Sequence, residues 1–518
     1  MGTRNEDLLQ GIIDDTPSSE FPPPQSRVET ILHAMLDGTP ASEMEPPQSR
    51  NEELLIEVLD KMNHSSGGGG REDELVARTL SGAYENNRVS AVGWYAFYNL
   101  DSLTSVNFQA CETIGVNAFN HCGALASISF PACTYIGDYA FGYCQSLTTV
   151  SFPACTTISS NAFAYCGNLQ TAIFPACQTV NNNGFIGCNL KSISFPVCTT
   201  IGTQAFMLFA GTTVSFPSCT TIGQSAFANC SMLTTADFPV CTSIGSSAFY
   251  SCSKLTTISF PVCTTIGNSA FYNCYSLATV EFPSCTSIGI NAFALCALLT
   301  TASFPVCPSV GQSAFSVCSH LTDVNFPVCT TIGPYAFNRC NSLTTVSFPV
   351  CTSIGVSAFS WCANLQTVNF PSCISIGCCA FSWCTNLTTA IFPACTSIGS
   401  SAFCSCVQLA TISFPACTKI WSAAFFSCAS LTTASFPACS AIVNAAFAHC
   451  YRLTELYLDQ TSSVATLSHS NAFISTPIAG YTAYTSGAYG SIYVPASLVD
   501  AYKSATNWSY FSDRFVGV

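Results

Sequence analysis

The chain has 518 residues, 49% hydrophobic and only 8% charged, with a net charge of −13. Residues 1–75 hold 16 Asp or Glu against 5 Lys or Arg, so −11 of that charge sits at one end and the rest is nearly neutral, which excludes the basic face a nucleic-acid partner requires. No uninterrupted apolar run reaches membrane-spanning length, so membrane insertion is excluded too, and the chain is longer than one globular core usually grows.

The first predicted elements are three short helices. Thr3-Arg4-Asn5-Glu6, Ser26-Arg27-Val28-Glu29 and Ser49-Arg50-Asn51-Glu52 are capping boxes at a period of 23 residues. Each opens an apolar stripe: Leu8, Leu9, Ile12 and Ile13; Ile31, Leu32, Met35 and Leu36; Leu54, Leu55, Val58 and Leu59. Acidic, proline-rich links through Pro22-Pro23-Pro24 and Pro46-Pro47 separate them. Helices of about 10–12 residues are marginal alone, so the stripes are expected to dock, on one another or on a partner. Residues 1–64 are therefore read as an anchor or oligomerisation segment, with Leu8, Leu9, Ile12, Ile31, Leu32, Met35, Leu54, Leu55 and Val58 as its docking residues. Residues 65–70 form a Ser/Gly linker, and residues 71–91, with a predicted helix over 71–80, an N-terminal cap.

From residue 92 to 457 one phrase repeats. A phenylalanine recurs sixteen times from Phe108 to Phe436, in steps of 22 residues except for two 21-residue steps to Phe195 and Phe216. A period so short predicts a solenoid whose coils bury their apolar sides against neighbours. In one coil Leu277, Val280 and Phe282 stand at the spacing L-x-x-L-x-L, so a short strand turns Val280 and Phe282 inward and Thr279 and Glu281 outward. Pro283 ends that strand. Ile266, Ala270 and Phe271 supply the return side, and Gly267 is expected to bend the chain there. Residues 458–518 close the array as a C-terminal cap.

The 34 cysteines follow the same phase. Sixteen sit three residues after the repeat Phe, from Cys111 to Cys439; fifteen sit fourteen residues after it, from Cys122 to Cys450, with Phe209 in the missing place. Cys378, Cys379 and Cys404 fall outside both columns. Ladders of this kind suit reduced, buried packing better than the converging clusters a metal needs, so no metal or cofactor is expected.

Ile266-Gly267-Asn268-Ser269-Ala270-Phe271-Tyr272-Asn273-Cys274-Tyr275-Ser276-Leu277 resembles the BspA-like class of bacterial leucine-rich repeats, with its hallmark I-G-x-x-A-F-x-x-C-x-x-L. The tail, from Ile492-Tyr493-Val494-Pro495 to Asn507-Trp508, resembles the closing segment of that class. The resemblance covers roughly residues 86–518 and implies a right-handed leucine-rich repeat solenoid of about 16 coils, one short parallel strand per coil, behind a short α-helical N-terminal segment. The cysteine load and the Phe of the Phe-Pro corner, where an aliphatic residue is more usual, depart from the family. Capped helices joined by Pro46-Pro47-Gln48-Ser49-Arg50 are in turn similar to N-terminal segments of phage- and prophage-encoded proteins. Residues 1–13 are acidic and lack a sufficient apolar core, so no secretory signal is expected. Synthesis in the cytoplasm follows, with a place in a virion, or at the cell surface by another route.

No P-loop, dinucleotide fingerprint, nucleophile elbow or H-E-x-x-H occurs, and the six histidines are dispersed, so no catalytic residue is assigned. The expected role is non-enzymatic recognition or adhesion toward a protein or glycan on a cell surface; the alternatives are a purely structural scaffold and an exported surface adhesin. The candidate binding surface has two parts. One is the stacked hydroxyls of Thr149, Thr235, Thr257, Thr279, Thr345, Thr389 and Thr433, which also serve as ordinary strand formers. The other is the variable aromatics Tyr272, Tyr275, Trp361 and Trp383, the last two expected to be neighbours.

Overall fold

The computed structural model describes residues 82–459, 462–481, 483, 485 and 488–518. The three N-terminal helices, the 65–70 linker and the 71–80 helix lie outside the described residues. The chain divides into two compact units, residues 1–219 and 220–518. The described residues of both form parallel β-solenoids with little helix, about 20 coils in all.

One coil of the second unit shows how the repeat builds three sides. The long strand Thr279–Glu281 turns Val280 inward and exposes Thr279 and Glu281. Phe282 follows as a fully buried ring, and Pro283 takes the chain out of the sheet. A second, two-residue strand then forms at Ser287–Ile288, with Ile288 inward. This short strand adds to the one strand per coil that the spacing predicts. Its neighbours hold register, Thr265 opposite Ser287 and Ile266 opposite Ile288.

The third side is a run of turns. Asn291 and Leu295 adopt left-handed backbone at φ 56° and 63°, and the N–H groups of Asn291, Phe293 and Leu295 donate to Gln312, Ala314 and Ser316 O at 2.9, 2.8 and 2.9 Å. Each coil repeats this pair of left-handed residues, so the turn side is hydrogen-bonded from coil to coil although no strand forms there. The glycine before it is required for closeness. A Cβ on Gly267 would lie 2.5 Å from Ser246 N and 2.6 Å from the Gly245 carbonyl carbon, so close approach of two coils, and not the expected bend, selects glycine.

Two files of phenylalanines fill the interior. Phe271 stacks on Phe293 at 5.2 Å and 3°, while Phe282 tilts across to Phe293 at 5.9 Å and 58°. Each buried ring stabilises by about 1.5–3 kcal/mol through removal from water, and a well-placed ring pair adds about 0.5–1.5 kcal/mol.

The long strands pair in blocks of three, except for a five-stranded block at the C-terminal end. Ala83–Glu85, Ser105–Asn107 and Ser127–Ser129 form one sheet in the first unit, and Thr279–Glu281, Thr301–Ser303 and Asp323–Asn325 form another in the second. Between blocks the strand-side rings part slightly: Phe108–Phe130 and Phe304–Phe326 stand at 5.2 Å, but Phe130–Phe152 and Phe326–Phe348 at 5.9 and 6.1 Å.

The 21-residue steps fall in the first unit. Cys188 is followed by Leu190 with one residue between them, where Cys166 and Leu169 enclose two. In the next coil Phe209 stands in the cysteine column and Gly211 in the leucine column. The ring of Phe209 fills the vacated space so closely that a Cβ on Gly211 would lie 2.3 Å from its Cζ. At the C-terminal end Trp508 and Tyr502 are fully buried. Trp508 Nε1–H donates to Ala465 O at 2.6 Å, and Ala465 N–H to the Tyr502 hydroxyl at 3.0 Å.

Candidate recognition surfaces

Every threonine singled out from the sequence begins a long strand. Thr149 does so in the first unit; Thr235, Thr257, Thr279, Thr345, Thr389 and Thr433 do so in the second, all on the outward face. They do not form one unbroken row. Thr279 aligns with Thr301 and then with Asp323, so a carboxylate that the Thr-Thr pattern does not mark interrupts the hydroxyls.

Where another threonine precedes the one on the face, it can take a different task. Thr256 Oγ1 donates to Thr234 O at 3.1 Å, Thr300 Oγ1 to Ala278 O at 3.0 Å, and Thr388 Oγ1 to Gln366 O at 3.2 Å. In these three pairs the first threonine is an intercoil brace, and the second remains on the face. A parallel ladder runs beside the short strands, where Thr264 and Thr286 hydroxyls donate to Thr242 and Thr264 O at 3.1 and 3.2 Å.

On the block at 279–325 the face is hollowed. A depression of about 580 Å³ is lined by Thr279, Glu281, Thr301, Ser303, Asp323 and Asn325 around the inward Val280 and Val324. Its second row is Glu281, Ser303 and Asn325, in register, with Asn325 Nδ2–H donating to Ser303 Oγ at 3.1 Å. The first unit has a similar depression of about 570 Å³ at its first block, around Glu85, Ser105 and Asn107. Such a floor offers hydrogen-bond donors, acceptors and two carboxylates in an open setting, suited to binding a polar ligand.

The aromatic candidates lie on the turn side, apart from the threonine face. Tyr272 stacks on Tyr250 at 5.1 Å and 4°, and Tyr275 is exposed without joining them. Trp361 and Trp383 stack at 4.7 Å and 4°, as their shared phase predicts. Sequence reading missed what flanks them. The Arg339 guanidinium stands 5.8 Å from the Trp361 ring, and beneath the indoles Ser360 and Ser382 are buried and bonded to each other at 2.8 Å. Arg339 stands in the same column, 22 residues before Trp361. Trp421 sits instead in the column that glycine usually fills, with Lys419 Nζ 3.7 Å from its ring centre.

The cysteines are free thiols. All members of the two columns are buried, whereas Cys378 is exposed and Cys379 and Cys404 are partly so. Each column has a hydrogen-bond role. In the first, Cys263 Sγ donates to Thr265 O at 3.3 Å; in the second, Cys296 Sγ donates to Phe271 O in the preceding coil at 3.2 Å. Cys is small enough for the crowded column and still a weak donor for a buried carbonyl. Burial pushes the thiols of Cys122, Cys263, Cys296 and Cys362 up to about 12, which keeps them protonated and unreactive. Among the described residues no group of three His, Cys, Asp or Glu side chains could hold a metal ion, and no helix is long and apolar enough to cross a membrane.

A family model described as a BspA-type leucine-rich repeat region matches residues 81–188, 178–300, 242–365 and 352–479. Comparison with curated proteins returns no match. Among solved structures, a leucine-rich repeat protein from Bacteroides ovatus is similar at 22% identity, over 73% of this chain and 87% of its own, with a TM-score of 0.41. A leucine-rich cell surface protein from Faecalibacterium prausnitzii is similar at 25% identity, over 60% and 78%, with a TM-score of 0.30. The pneumococcal vaccine antigen PcpA is similar at 16% identity, over 70% and 83%, with a TM-score of 0.38.

Proposed function

The chain belongs to the BspA-type leucine-rich repeat family, and from that premise we propose that it is a non-enzymatic recognition protein that engages a protein or glycan on a cell surface. Repeats of this family generally serve binding and not catalysis. The observation that carries the reading is the hollow at 279–325, where uniform scaffolding gives way to Glu281, Asp323 and Asn325 among the hydroxyls. Variation confined to outward positions of a constant frame is what a recognition surface requires. The proposal extends to attachment: residues 1–64, through their repeated apolar stripes, would fix the chain to a phage particle or other repetitive assembly, three weak contacts acting together.

The test is binding of the full-length chain to a panel of bacterial and epithelial cells, beside a variant carrying Thr279→Val, Glu281→Gln and Asp323→Asn. At least a tenfold loss of binding is expected, since a few central polar contacts dominate such interfaces. Equal binding by the two proteins would remove the hollow from the reading.

A structural scaffold is the second reading, favoured by one feature. Val306, Val328 and Val350 follow the corner proline in three successive coils of the second unit and are exposed, forming an apolar ridge. Concentration-dependent sedimentation that Val328→Asp abolishes would support it.

A further inference from the structure

We propose that the outer face of Trp383 is a stacking platform for a pyranose ring, making the Trp361–Trp383 step of the turn side a glycan-binding site. The proposal rests on the recognition reading above but places sugar contact on a different side of the coil from the hollow.

The two indoles are not needed by the fold. The column they occupy, the residue before the second cysteine, holds Asn229, Ser251, Asn273, Ser405 and Ser427 in other coils, all with the same left-handed backbone. That backbone is uncommon for residues other than glycine and asparagine, and the column also carries His121, Tyr143, Leu295, Val317 and Arg339. Trp361 and Trp383 carry it at φ 64° and 63°, and they leave 44% and 43% of their surface in water. Two consecutive coils thus hold the largest apolar side chain in a half-exposed place where serine suffices.

The stack has a covered end and an open one. The Arg339 guanidinium lies over Trp361 on one side, and the two indoles cover each other's inner faces. Beyond Trp383 no ring follows: the column continues with Ser405 and Ser427 and meets its next ring at His449. Three coil steps, about 14 Å at strand spacing, separate Trp383 from His449. One indole face is thus left without a ring partner, above the buried Ser405 and the half-buried Ser427.

The chemistry of that face fits a sugar. A pyranose has an apolar C–H face whose slightly positive hydrogens suit the negative face of an indole, and its equatorial hydroxyls need polar partners at the edge. Both coils read Ser-Trp-Cys-x-Asn, and the amides of Asn364 and Asn386 form an exposed pair bonded at 3.2 Å. A cationic ligand would also favour an indole face, so the experiment separates the two.

Full-length protein is applied to immobilised hexose and N-acetylhexosamine oligosaccharides, with Trp fluorescence as a second readout. Trp383→Ser is compared with Trp421→Ser and with the hollow variant. Serine already occupies the column at 405 and 427, so unchanged circular dichroism is expected. Trp383→Ser should weaken oligosaccharide binding about 30-fold, the loss typical of a Trp hot spot, with Trp421→Ser and the hollow variant unaffected. Oligosaccharide binding unchanged by Trp383→Ser would overturn the site while leaving the recognition reading intact. So would cell binding with no oligosaccharide bound, or a fluorescence response to tetramethylammonium alone. Loss of cell binding in the hollow variant alone, with sugar binding kept, would support two separate surfaces.

Discussion

The long-strand side and the turn side of each coil are built from the same backbone bonds between neighbours, yet they tolerate very different side chains. On the strand side an extended backbone in register carries mostly small hydroxyls and amides outward, with an occasional carboxylate or isoleucine, as at Thr279, Thr301, Asp323 and Ile391. On the turn side the column before the second cysteine holds Asn273, Leu295, Val317, Arg339, Trp361 and Ser405 within a few coils. Sheet neighbours must share one pleat, whereas a left-handed residue projects its side chain from a corner. The lesson is that a solenoid can keep one side constant for assembly and leave another free to vary.

Five measurements would break or sharpen that contrast. The largest effect should come from alkali, which acts on what both sides enclose. Thiols such as Cys122 and Cys362 titrate near 9.0 when unfolded and near 12 when folded. The unfolded chain therefore loses these protons first, and stability, intact below pH 9, should fall as pH rises toward 12, by up to roughly 4 kcal/mol per thiol. A denaturation midpoint that stays level from pH 8 to 11 would contradict this. Next is Phe282→Ala, which empties a fully buried strand-side site and should cost about 3–5 kcal/mol in chemical denaturation. Gly355→Ala should follow at about 1–3 kcal/mol, because its Cβ would lie 2.5 Å from Pro334 N. The smallest effects discriminate best. Thr300→Val removes an intercoil hydrogen bond of 3.0 Å and should cost about 0.5–1.5 kcal/mol, while Trp361→Ser should change stability by less than about 0.5 kcal/mol. If Trp361→Ser were the more damaging of the two, the turn side would be structural and the contrast would fail.

The period, the inward Phe, Ile and Leu positions and both cysteine columns were legible in the sequence because burial repeats at a fixed phase. The short strand at Ser287–Ile288 was not, since two residues are too few to show alternation. The left-handed pairs escaped notice because Asn, Ser, Tyr and Trp fill them in place of the glycine that usually marks such backbone. Of the candidate surface, the threonine face and the Trp361–Trp383 neighbourhood followed from shared phase. Asp323 and Arg339 did not, because each occurs once in its column, and a single exception to a repeat carries no signal until the column has a location. The split of those three Thr-Thr pairs into brace and face depended on which carbonyl the preceding coil offers.

Phe209 and Gly211 record how such an array can change its own rule. Phenylalanine in the cysteine column would collide with leucine two residues on, and glycine in the leucine column would leave a void the size of a side chain; together they fill one volume. Any single-step route to this coil therefore crosses a less stable intermediate. Passing through the void costs about 2–5 kcal/mol, a loss the many unaltered coils can carry because each coil contacts mainly its neighbours. Repetition then acts as insurance for the lineage: a long array can hold a damaged unit in place until a second change repairs it, where a single compact core of the same marginal stability would have unfolded.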